Sequence, residues 1–160
     1  MKQSSILILM VFIFVFYSCN KKSKEPNYSE IPKIEFTSMS HSKIKIGVDE
    51  GKWALNFNFV DGDGDLGTDE TFSKKNVFLR NEVTLAEYEF PFPFIPEFAR
   101  RGKKYIQGSS SVVLEIPIFM KPRLEPAGRD KDTFHFSLFI VDDAGHHSDT
   151  IYTPPVYISK

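Results

Sequence analysis

Three stretches of the chain alternate apolar and polar residues with a period of two, and that leaves little choice of backbone. In "WALNFNFV" (53–60), Trp53, Leu55, Phe57 and Phe59 alternate with Ala54, Asn56 and Asn58. In "SVVLEIPIF" (111–119), Val112, Leu114, Ile116 and Ile118 share one phase, and in "TFHFSLFIV" (133–141) Phe134, Phe136, Leu138 and Ile140 do. Successive strand residues point to opposite faces, so each stretch predicts a strand with one face in a core and one in water. Trp53, Phe57, Phe59, Phe134, Phe136 and Leu138 should therefore all point inward. Shorter strands are expected at 33–38, 43–48, 76–81, 84–90 and 149–158. Pro117 lacks a ladder donor, which puts its strand at a sheet edge or a bulge. No segment beyond residue 20 keeps a helical period for three turns.

Seven or eight antiparallel strands in the roughly 130 residues after residue 32 predict one all-β domain, built as a two-sheet sandwich. The closing stretch "FIVDDAGHHSDTIYTPPVYI" (139–158) resembles the last hairpin of bacterial immunoglobulin-like domains. There an aspartate, Ala-Gly, a polar pair and a serine form the turn between the final strands. The resemblance implies an immunoglobulin-like sandwich over residues 33–160. The cysteine pair of antibody domains is missing, while Trp53 can still serve as a core residue.

The N-terminus reads differently. Lys2 precedes an apolar run from Ile6 to Phe16, "ILILMVFIFVF". Eleven residues suit the core of a secretory signal and are too few for a spanning helix, which needs about 20. The single cysteine, Cys19, follows directly, with the small residue Ser18 before it. Here the sequence resembles a bacterial lipoprotein, with Ser18 matching the usual small residue and Phe16 and Tyr17 departing from the commonest form. The resemblance implies cleavage after residue 18, a diacylglyceryl and an acyl chain on Cys19, and a place in the cell envelope, with the outer membrane expected. Two or more chains hold a protein firmly where one binds reversibly. Residues 19–32, "CNKKSKEPNYSEIP", are polar and bury too little to offset their ordering entropy, so a flexible tether is expected. Without Lys2 the balance is 19 basic to 21 acidic residues, which argues against nucleic acid as a partner and against general attraction to an anionic surface.

Asp61, Asp63 and Asp65 alternate with Gly62 and Gly64 at the end of the first aromatic stretch, in "FNFVDGDGDLGTDE" (57–70). Calcium takes about six to eight oxygens, and alternating aspartates on a tight turn can aim several at one ion. The helix–loop–helix calcium motif needs Gly at position six and Glu at twelve. Counting from Asp61 gives Leu66 and Phe72, and counting from Asp63 gives Thr68 and Lys74, so that motif is absent. Asp-Gly steps also make good turns without any metal. Topology bears on the choice. If 53–60 and 133–141 are the second and sixth strands of a sandwich, the loops after them share a pole, and Asp142 and Asp143 join the other three. Crowded carboxylates repel unless a cation, a basic side chain or water separates them. His146 and His147 suggest zinc less well, because adjacent strand residues face opposite ways and sulfur ligands are missing.

The segment "YEFPFPFIPEFARRGKKYIQGSSS" (88–111) interleaves Phe90, Phe92, Phe94 and Phe98 with prolines, then carries Arg100, Arg101, Lys103 and Lys104. Proline removes ladder donors, so a long connection is expected. Phe92, Phe94 and Phe98 either bind a glycan or protein ligand or cap an open end of the sandwich. His41, His135, His146 and His147 fall in no nucleophile or metal motif. The sequence thus points first to a membrane-anchored, non-catalytic binding or adhesion module with a candidate calcium site. A structural or accessory subunit of an envelope complex comes second, and a hydrolytic enzyme third.

Overall fold

The computed structural model describes residues 26–116 and 130–160, so the expected signal segment, Cys19, the first part of the expected tether and Pro117 lie outside the described residues. The chain is nearly all-β. Its strands are β1 (Lys33–Met39), β2 (Lys43–Lys45), β3 (Lys52–Asp61), β4 (Val77–Asn81), β5 (Glu87–Phe90), β6 (Ile106–Glu115), β7 (Lys131–Phe134), β8 (Phe136–Ile140), β9 (Ile151–Tyr152) and β10 (Val156–Ser159). One short helix, α1 (Glu97–Arg100), lies between β5 and β6.

Hydrogen bonding groups the strands into three sheets, β1-β3-β6, β2-β10-β7 and β5-β4-β8-β9, where the sequence predicts two. The extra division has a local cause. β7 and β8 are one stretch broken at His135. Phe134 pairs with Val156 on one side of the break and Phe136 with Asn81 on the other. The expected strand 149–158 breaks likewise at Thr153–Pro155, where two successive prolines offer no donors. One pairing also departs from the antiparallel expectation, since β2 runs parallel to β10.

β3 organises the core. Its odd-numbered side chains are buried from Trp53 to Phe59, and the Trp53 indole donates to the His41 carbonyl at 2.9 Å. From β7 and β8 come Phe134, Phe136, Leu138 and Ile140, all fully buried, with the Trp53 and Phe136 rings 5.1 Å apart. The period-two phase read in the sequence is the one found. Each such side chain taken from water contributes roughly 1.5–3 kcal/mol. On the opposite face of β3, Asn56 and Asn58 accept from Ser111 and Ser109, a polar ladder towards solvent.

Several boundaries differ from expectation, β2 among them, which ends at Lys45 rather than 48. β6 begins at Ile106, five residues before the alternating stretch, and pairs with all ten residues of β3. Its first half, Gln107–Ser111, carries no apolar signal. It is held instead because a central strand must satisfy its backbone donors and acceptors on both sides. β5 begins at Glu87 rather than 84, since the Asn81 carboxamide oxygen accepts from Val83 and Thr84 N–H groups and closes a turn there.

Candidate metal centre

The burial phase of β3 does not stop at Phe59. Asp61 is the next residue in it, and its side chain is completely buried. A carboxylate has been carried into a position the pattern reserves for hydrophobes.

The glycines that follow are required by contact. A Cβ on Gly62 would lie 2.3 Å from the Ser29 carbonyl oxygen, and one on Gly64, where φ is +73°, would lie 2.3 Å from that of Lys104. Neighbouring backbone therefore presses on the loop at each glycine and leaves no room for a side chain. Leu66, fully buried, pins the loop to the core. Arg100, at the end of α1, ties it down from outside. Its guanidinium donates to the carbonyls of Gly64, Leu66 (3.2 Å) and Ile95 (3.3 Å). The Ile95 N–H donates to the Gly67 carbonyl at 2.8 Å.

This frame brings Asp61, Asp63 and Asp65 together with Asp142 from the turn after β8. One carboxylate oxygen of each lies within 4.8 Å of the others. Asp61 and Asp142 are buried, Asp65 is half-buried and Asp63 is exposed, so the group has a closed floor and an open mouth. Four acids in this arrangement can hold a metal ion. The backbone satisfies only part of their capacity. Asp61 Oδ2 accepts from the Leu66 N–H at 3.1 Å, and Asp65 Oδ2 from the Ala144 N–H at 2.7 Å. Asp142 accepts from the His146 N–H at 2.7 Å and meets His146 Nδ1 at 2.9 Å. Asp61 Oδ1 and Asp65 Oδ1 are buried with no hydrogen-bond partner. Such an atom is costly to leave bare.

The electrostatics follow. Burial pushes the Asp61 carboxyl up to about 7, with the Leu66 N–H opposing and the charges of Asp63 and Asp65 adding. Burial also raises Asp65, helped by the charge of Asp142. His146 is raised by its hydrogen bond to Asp142. Asp69 shows what a plain turn aspartate looks like in the same segment. It accepts from Thr71, Ser73 and the Lys74 N–H, and its carboxyl is lowered, chiefly by the Thr71 hydroxyl.

The other candidates divide. Asp143 shares the pole but turns away, its carboxylate on Lys74 Nζ at 2.9 Å and on the Thr68 hydroxyl. His147, in an isolated bridge with Val141, stacks on Phe139 with 5.5 Å between centroids. Phe92, read in the sequence as either a ligand contact or a cap on an open end of the sandwich, is 3% exposed and packs edge-on against Phe59 at 5.0 Å, so it is a core residue. Its prolines fix a path that turns the ring inward. Phe94 is half-buried, and only Phe98 stands free, 83% exposed. Sequence reasoning missed Arg100 as a clamp and Ser29 as a wall of the loop, because both lie far from it along the chain. No family model, no curated protein and no solved structure matches this chain.

Proposed function

We propose that the protein is a calcium-stabilised, non-catalytic binding module of the cell envelope, held to the membrane by lipid on Cys19. The observation that carries the calcium reading is the bare, buried Oδ1 of Asp61, a carboxylate grouped with three others. An all-oxygen set rich in carboxylates suits calcium. Magnesium would keep most of its waters, and zinc prefers nitrogen and sulfur. A bound divalent cation supplies the missing partner and removes the mutual repulsion, so ion binding and folding are coupled.

The finer fold reading belongs here too. β7 and β8 are separated by one residue and β9 and β10 by three, so the second and third sheets run into each other along both strands. That continuity supports two layers of an immunoglobulin-like sandwich, with β1-β3-β6 as the other layer. The N-terminal apolar run and the single cysteine support the anchor.

Thermal unfolding in millimolar calcium and then in chelator tests the cation. Calcium at a hundred times its dissociation constant stabilises by about 2.7 kcal/mol, several degrees on a domain this size. Coincident curves would leave the aspartates as a turn only.

A further inference from the structure

The cation pole carries more than carboxylates. Tyr28 and Ser29, where the N-terminal segment joins the domain, lie against it. The Gly62 N–H donates to the Ser29 carbonyl at 3.0 Å, and the Tyr28 ring packs edge-on against Tyr105 at 4.9 Å. The Lys104 carbonyl abuts Gly64, so the connection holding α1 rises from the same end. At its tip Phe98 is 83% exposed, followed by the exposed side chains of Arg101, Lys103 and Lys104. Arg101 caps α1 in a left-handed conformation, φ 54°, and the Lys103 ammonium donates to the Tyr105 hydroxyl at 3.0 Å. Acids share this pole as well, Asp143 being held there by Lys74. Glu97 is 3.9 Å from Arg100, and a cation on the cluster would offset Asp63.

We infer that this pole docks on an anionic phospholipid surface, Phe98 entering the acyl boundary and Arg101, Lys103 and Lys104 meeting the headgroups. The inference rests on the lipid-anchor reading. Seven chain steps separate Cys19 from Pro26, and at ~3.3–3.6 Å each they span at most about 25 Å. Tyr28 and Ser29 then seat against the acidic loop, so an anchor on Cys19 would keep this end of the domain within that reach of the bilayer. An exposed aromatic followed in the chain by exposed cations matches the chemistry of an anionic interface.

The test uses the full-length lipidated chain carrying Phe98→Trp, reconstituted in vesicles of phosphatidylcholine alone or mixed with phosphatidylglycerol, with brominated acyl chains as quencher. The wild-type signal, from the buried Trp53, is subtracted. Quenching of Trp emission on the anionic vesicles is expected. Each cation near such a surface is worth about fivefold, so the pair Arg101→Gln and Lys104→Gln should lower the docking equilibrium roughly thirtyfold. Emission that brominated lipid does not quench on anionic vesicles, or quenching that the double substitution leaves unchanged, overturns the inference. A Cys19 that takes up no fatty-acid label refutes the anchor separately. The same Phe98→Trp protein titrated with free vesicles then reads the pole's affinity directly, and no quenching at saturating lipid overturns docking in that case too.

Discussion

Replacing Asp61 by asparagine should change stability in opposite directions with and without calcium. The wild-type carboxyl rises from 3.8 to about 7 on folding, because burial disfavours its charge. A raised carboxyl binds its proton more tightly in the folded state. Its contribution is therefore fully present below pH 3.8 and is lost as pH rises through 7. The loss amounts to ~4 kcal/mol at most by pH 8, at 1.36 kcal/mol per pH unit. Asparagine keeps an oxygen for the Leu66 N–H and carries no charge, but its amide group is left without a partner, at ~1–3 kcal/mol. In chelator at pH 8 the variant should be more stable than wild type by roughly 1–3 kcal/mol. In saturating calcium it should be the less stable of the two, having lost the best-buried ligand. Urea denaturation in both buffers, repeated at pH 5, measures this. A variant less stable than wild type in chelator at pH 8, with an undiminished calcium response, would refute the reasoning.

Other substitutions probe separate parts of the account. Phe136→Ala should cost about 3–5 kcal/mol in chemical denaturation, since the ring is fully buried against Trp53, whereas exposed His135→Ala should cost far less. Equal losses would mean the strand phase is wrong. Arg100→Gln removes the bridge between the acidic loop and α1, and should cost ~1–3 kcal/mol and weaken calcium binding by calorimetric titration. Cys19→Ser should abolish incorporation of a fatty-acid analogue, and equal labelling of mutant and wild type would exclude lipidation at that residue.

How far the sequence carries depends on the kind of interaction. The core phase of β3, β7 and β8 was legible because alternation is a local signal that burial enforces, and Trp53, Phe57 and Phe136 are all buried as it requires. The meeting of Asp142 with Asp61, Asp63 and Asp65 followed from placing two loops at one pole. What escaped was set by tertiary contact. The Gly-Ser half of β6 is held by pairing with β3, not by its own composition. Gly62 and Gly64 read as turn formers but are fixed by the backbone of Ser29 and Lys104. Phe92 and Phe98 look equivalent in the sequence, yet one packs on Phe59 and the other faces water. Asp143 and Asp142 are adjacent, and only the backbone direction decides which of them faces the cluster.

The most direct test of the cation centre is a crystal structure of the protein grown in calcium, with the ion located by its anomalous signal. The account predicts one peak at about 2.3–2.6 Å from carboxylate oxygens of Asp61, Asp63, Asp65 and Asp142, with Asp61 Oδ1 among them. Density showing these carboxylates bonded to one another or to water alone, in saturating calcium, would contradict it.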